Sequence, residues 1–131
     1  MKRILVVDDS AVSRKLALFV LKNLGYEPHG AASAAEAFDA LRREEYDAVF
    51  MDLHMPDMNG CEAVALIRRS GAGTANSSLP IIAISGSDLP EEREHCRTSG
   101  MTDFLAKPFS GEKAEAMLSK YCPAVPPDVQ K

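Results

Sequence analysis

The stretch "AVFMDLHMPDMNG", residues Ala48 to Gly60, drives four apolar residues straight into an aspartate, Asp52, and follows it with a Met-Pro turn and a glycine. A short unbroken apolar run is the mark of a strand covered on both faces. An isolated carboxylate at the end of such a strand is costly unless something pairs with it. The stretch therefore predicts a partner for Asp52 elsewhere in the chain.

Three further runs have the same form. Ile4-Leu5-Val6-Val7 ends in Asp8-Asp9, Ile81-Ile82-Ala83-Ile84 ends in Ser85-Gly86, and Phe104-Leu105-Ala106 ends at Lys107-Pro108. A weaker strand is expected over Glu27 to Ala31, where Pro28 suits a sheet edge. Helical patterns fill the intervals. Ser10 caps a helix running to about Leu24, with Val12, Leu16, Phe19 and Val20 spaced along one apolar face, the stripe that a surface helix turns to the core, and Gly25 ends it. Ser33-Ala34-Ala35-Glu36 is a capping box that opens a second helix, with Ala37, Phe38 and Leu41 facing inward. A third helix is expected from Cys61 to Arg69, a charged fourth from Pro90 to Ser99 closed by Gly100, and a fifth from Gly111 to Tyr121. "SGAGTANSSLP" between the third helix and the fourth strand is a loop by composition.

Strand-helix alternation repeated five times predicts a doubly wound α/β domain. It would hold a five-stranded parallel sheet with helices on both faces, for which 2-1-3-4-5 is one of the common strand orders. The domain is expected to occupy residues 1–121, and "CPAVPPDVQK" at 122–131 to be a flexible proline-rich tail.

Composition narrows the function. The chain has 131 residues, of which 46% are hydrophobic and 26% charged, so it fits one globular domain. A formal charge of -4 argues against direct binding of nucleic acid or anionic membrane. No apolar run approaches a membrane span or the core of a signal peptide. Cys61, Cys96 and Cys122 are odd in number and far apart, and His29, His54 and His95 are scattered. Neither set makes a zinc site or a disulfide framework, and the reading is a reduced, cytoplasmic protein.

In an open parallel sheet, ligands bind beyond the carboxyl ends of the strands. Asp8-Asp9, Asp52, Ser85 and Lys107 all stand at those ends, and for the order 2-1-3-4-5 they converge. Taken alone, Asp9 could serve a helix N-terminus, Asp52 start a loop, Ser85 occupy a turn and Lys107 be a solvated cation. Together they form an inventory with a purpose. Crowded carboxylates attract a hard divalent cation such as Mg²⁺, and one carboxylate can then act as a nucleophile toward phosphorus. A serine hydroxyl and a lysine ammonium are suited to the remaining phosphoryl oxygens.

These residues resemble the receiver domain of two-component response regulators. The matching pieces are "VDDS", "MDLHMPDMNG", "IIAISG" and "FLAKPF", over about Lys2 to Tyr121. The resemblance implies the flavodoxin-like receiver fold and a phosphoacceptor at Asp52. It implies a Mg²⁺ (or Mn²⁺) site made by Asp8, Asp9, Asp52 and the backbone carbonyl of His54. Ser85 would be the switch hydroxyl, Lys107 its cationic partner, and the Lys107-Pro108 bond would be cis. A histidine kinase or a histidine phosphotransfer protein would donate the phosphoryl group. The changed surface would then act on a downstream protein, from a monomer or a phosphorylation-dependent dimer. Phe104 stands where the family often has a switch tyrosine, which puts the hydroxyl's part of that coupling in doubt. His54 and Ser87 occupy positions at which the family tunes phosphoryl lifetime. Kinase specificity is expected on the first helix, at Ala11, Arg14, Lys15 and Leu18.

The domain is thus expected to be no enzyme beyond its own phosphorylation and dephosphorylation. The alternatives are a small aspartyl-phosphate phosphatase or phosphotransferase acting on metabolites, and a degenerate receiver that only binds partners. The ten residues after Tyr121 are too few for a DNA-binding domain. The chain thus reads as a stand-alone receiver or as one excised from a hybrid kinase or a longer regulator. Gly60 is expected to supply a backbone angle that other residues avoid. Met51, Met55 and Met58 are expected to pack rather than bind anything.

Overall fold

The computed structural model describes residues 2–70, 79–86, 89–107 and 109–122. The strands are β1 (Arg3–Val7), β2 (Glu27–Ala31), β3 (Ala48–Asp52), β4 (Ile81–Ser85) and β5 (Asp103–Ala106). They alternate with α1 (Ala11–Asn23), α2 (Ala34–Arg43), α3 (Gly60–Ser70), α4 (Pro90–Ser99) and α5 (Gly111–Tyr121). All pairings are parallel, as the alternation predicted, and the order is β2-β1-β3-β4-β5, the one expected of the flavodoxin-like fold. Pro28 lies in the edge strand β2, where its missing N–H leaves no rung of an interior ladder unmade.

Successive side chains of a strand point to opposite faces, and both faces here are covered. Ile4, Val6, Phe50, Ile82 and Ile84 pack with Ala17 and Leu21 of α1 and Met117 and Leu118 of α5. Leu5, Val7, Val49, Met51, Ile81 and Ala83 pack with α2, α3 and Cys96 of α4. That is why the strands read as unbroken apolar runs. Met51 is buried, and Met55 and Met58 pack against the second of these clusters, as expected. Ser10, Ser33 and Ser110 accept N–H bonds at the starts of α1, α2 and α5. Gly25 and Gly100, at φ 97° and 115°, end α1 and α4 in the left-handed region.

The face of α1 corrects the sequence reading. Val12, Leu16 and Phe19 are 79%, 55% and 65% exposed, and Val20 is half-buried. Ala17 and Leu21 make the contact with the sheet instead. The helix carries two apolar stripes, and the close approach of α1 to the strands admits the one that contains an alanine.

Gly60 brings a second correction. Its φ lies outside the left-handed region, and its role is space: a Cβ there would stand 2.5 Å from the carbonyl oxygen of Asp52. Cys122, expected to open the tail, is buried and caps α5, and its carbonyl accepts a 2.9 Å bond from the Tyr26 hydroxyl. The expectations for Ser87, for the Lys107-Pro108 bond and for the tail beyond Cys122 lie outside the described residues, as does most of the loop after α3. Among the described residues, no helix is long and apolar enough to cross a membrane.

Candidate functional site

Because β1, β3, β4 and β5 are neighbours in the sheet, the residues at their carboxyl ends meet on one edge. Asp8 follows β1 directly, Asp52 closes β3 and Ser85 closes β4. The Lys107 N–H donates to the Ser85 carbonyl at 2.7 Å, extending the ladder one residue past β5 and fixing the lysine at the rim. Its Nζ reaches back to lie 2.9 Å from Asp8 Oδ2 and 3.5 Å from Asp52 Oδ2. The carboxylates of Asp8, Asp9 and Asp52 each place an oxygen within 4.8 Å of the others. Asp8, Asp52 and Ser85 are buried, while Asp9 is exposed.

One ammonium among three carboxylates leaves the cluster under-compensated, and the two buried acids divide that deficit unequally. Burial pushes the Asp52 carboxyl up to about 6, against the pull of Lys107 and of the His54 N–H, with the Asp8 charge adding to the rise. Burial works on Asp8 too, but hydrogen bonds from the Ser13 side chain, from Lys107 and from the Ser10 N–H outweigh it and hold that carboxyl below its ordinary value. The hydrogen bond from Ser13, with the nearer ammonium and the Ser10 N–H, is why Asp8 is the acid that stays easily ionised. An all-oxygen donor set with excess negative charge fits a hard divalent cation of the Mg²⁺ type.

The loop from Leu53 to Asn59 is tied down at both ends. The Gly60 N–H donates to the Leu53 carbonyl at 2.8 Å, and Asn59 and Glu62 exchange bonds in a capping box at the start of α3. Asp57, at the tip, accepts the Ala34 and Ala35 N–H groups at 3.2 and 3.0 Å, capping α2 from the neighbouring loop. Those two bonds hold its carboxyl below the ordinary value. The His54 N–H donates to Asp52 Oδ1 at 3.3 Å, and the imidazole points out to solvent. Arg14 donates to the Asp8 carbonyl at 2.7 Å, so this half-buried residue belongs to the frame of the site. The Ser85 hydroxyl donates to Glu92 Oε1 of α4 at 3.1 Å. Asp57 and Glu92 were missed in the sequence, which carries no local sign of contacts made 22 and 7 residues away.

The sequence profile of the response regulator receiver domain matches residues 4–119. The chain belongs to that family. Receiver domains are phosphorylation-activated signalling switches that take phosphate from histidine kinases and bind Mg²⁺ at an acidic site. This receiver domain is 36% identical over 120 residues to hybrid signal transduction histidine kinase F of Dictyostelium discoideum, covering 91% of this chain and 11% of that protein. It spans a similarly small share, 12–15%, of three other sensor kinases it matches, among them GacS of Pseudomonas syringae and RcsC of Escherichia coli. Its fold superposes on the chemotaxis response regulator CheY4 of Vibrio cholerae with a TM-score of 0.85, at 30% identity, covering 92% of this chain and 98% of the other. The receiver domain of sensor histidine kinase PA1611 from Pseudomonas aeruginosa, solved with a magnesium ion in its active-site cleft, superposes with a TM-score of 0.82 at 33% identity, covering 92% and 96%.

Phe104 of this receiver domain is half-buried on β5, with the Arg93 guanidinium of α4 5.0 Å from the ring centroid. A groove of about 390 Å³ opens between α1 and the site, lined by Val12, Leu16, Val20, Lys107 and Phe109 among others. The exposed apolar stripe of α1 thus continues into the rim of the carboxylate cluster.

Proposed function

We propose that Asp52 is the phosphoacceptor of a switch charged by a histidine kinase or a histidine phosphotransfer protein. The observation that carries this reading is the convergence of Asp8, Asp9, Asp52 and Lys107 at adjacent strand ends, with Ser85 beside them. Asp8, Asp9 and Asp52, with the His54 carbonyl, would hold Mg²⁺ (or Mn²⁺), which when bound offsets the negative charge of the carboxylates and of the incoming phosphoryl group. With its carboxyl pushed to about 6, Asp52 is ionised at neutral pH and free to attack. One Asp52 oxygen forms a bond to phosphorus as the bond from phosphorus to the donor breaks, and the donor atom keeps that electron pair. The Ser85 hydroxyl donates to one phosphoryl oxygen and the Lys107 ammonium neutralises another. Water later releases phosphate, at a rate that His54 and Ser87 tune. The domain catalyses nothing beyond this cycle.

The exposed stripe of α1 and the groove beside it are the docking face for the phosphodonor protein. Val12 and Leu16 line the way to Lys107, while Ala11 and Lys15 lie exposed on the same helix. Output runs through Phe104 and the adjoining faces of α4 and α5. The deciding experiment is intact mass after mixing with Mg²⁺ and acetyl phosphate. One added phosphoryl group is expected, absent in Asp52→Asn and absent with chelator. Uptake undiminished in the Asp52→Asn variant would overturn the assignment, and steady turnover of metabolite phosphates would mark an enzyme instead.

A further inference from the structure

We infer that Glu92 is a positioning residue that holds Ser85 in the resting arrangement and so couples the site to α4. Glu92 stands in the first turn of α4, with its side chain 23% exposed. An acidic residue there could reach back to cap its own helix, and the N-cap residue, Leu89, supplies no side-chain cap. The carboxylate turns to the sheet instead, accepting the hydroxyl of fully buried Ser85 at 3.1 Å. Its other oxygen lies 3.9 Å from His54 Nε2, an ion-pair distance when that histidine is protonated but beyond hydrogen-bond distance, so the Ser85 hydroxyl supplies the hydrogen bond.

A serine hydroxyl has one proton to give. Ser85 can donate to Glu92 or to a phosphoryl oxygen on Asp52, but not to both at full strength. The bond to Glu92 therefore belongs to the unphosphorylated protein and must break when Ser85 turns to the phosphoryl group. Breaking it removes a charge-assisted tether from the first turn of α4. The state of Asp52 is thereby reported to a helix that Asp52 does not touch through any hydrogen bond or ion pair described. The tether stands on the resting geometry alone. The competition rests on the reading of Asp52 as phosphoacceptor.

Two measurements separate those parts. In the unphosphorylated protein, amide exchange in the first two turns of α4 is compared among Glu92→Ala, Ser85→Ala and the double variant. Each single change is expected to speed exchange by roughly tenfold, the size of a hydrogen bond to a charged group, and the double to add nothing further. Unchanged exchange in both single variants, or additive effects in the double, would overturn the tether whether or not the protein takes up phosphate. Initial uptake from acetyl phosphate is then compared in the same set with Glu92→Gln, which keeps an acceptor oxygen and loses the charge. Uptake several-fold faster in Glu92→Ala, intermediate in Glu92→Gln and insensitive to residue 92 once Ser85 is alanine is expected. A wild-type protein that takes up no phosphate would sink the phosphoacceptor reading and the competition built on it. Normal uptake that ignores Glu92→Ala would sink the competition alone.

Discussion

The Lys107 ammonium lies 2.9 Å from Asp8 and 3.5 Å from Asp52, so the buried acid that resists ionisation is the one farther from the cation. The Asp52 carboxyl titrates near 6 in the fold against an ordinary 3.8. A carboxyl raised by folding favours the folded state below its ordinary value, and that contribution is lost as pH rises through the folded value. Without metal, Asp52→Asn should therefore stabilise the protein at pH 7.5, by at most about 3 kcal/mol for a displacement of that size. The gain should fade as pH falls from about 6 to 4. Urea unfolding in chelator at pH 7.5 and at about pH 4 checks this, and an equal gain at both would refute it.

Gly60 is packed against backbone rather than turned into a forbidden angle. A methyl group there meets the Asp52 carbonyl at 2.5 Å and the Leu53 Cα at 3.0 Å, neither of which is the end of a flexible side chain. Gly60→Ala is expected to cost on the order of 2 kcal/mol and to slow phosphate uptake by displacing Asp52. Gly86, where an added Cβ meets nothing within 4 Å, is the control. Its alanine variant should lie within about 0.5 kcal/mol of wild type by denaturant titration.

Cys61 and Cys96 bring their sulfurs to 4.0 Å between α3 and α4, and both are free thiols. Burial, with the neighbouring Cys61, pushes the Cys96 thiol up to about 12, and burial pushes Cys122 to about 11. Native protein at pH 8 should take up maleimide at these three positions only slowly, and at all three promptly in urea. Mass spectrometry counts the adducts. Rapid native labelling of Cys96 would contradict its burial.

If α1 is the docking face proposed above, its exposed stripe should govern recognition without governing stability. Val12→Gln, Leu16→Gln and Phe19→Gln should each change stability by no more than about 0.5 kcal/mol, since these side chains are already in water. Leu21→Ala, in the core, should cost about 3 kcal/mol. The three surface variants together should slow phosphoryl transfer from a histidine phosphotransfer protein while leaving uptake from acetyl phosphate near wild type. Equal losses with both donors would show that they damage the site rather than the docking face.

What the sequence by itself determined is what is written locally. Each apolar run is a buried strand because both of its faces need covering, and each strand's last residue falls at the same end of a parallel sheet. Asp8, Asp52, Ser85 and Lys107 were legible for that reason, as were the caps at Ser10 and Ser33 and the glycines that end α1 and α4. Tertiary structure decided what depends on distance across the fold. The 3.6-residue period spaced the apolar residues of α1 correctly, but two stripes satisfied it. Only the closeness of the sheet chose Ala17 and Leu21 over Val12, Leu16 and Phe19. Gly60 was marked as special, yet its reason is a carbonyl eight residues back that folding brings against it. Asp57 capping α2 and Glu92 holding Ser85 have no local signature, because a carboxylate's partner is fixed by which helix start or hydroxyl the completed fold carries within about 3 Å.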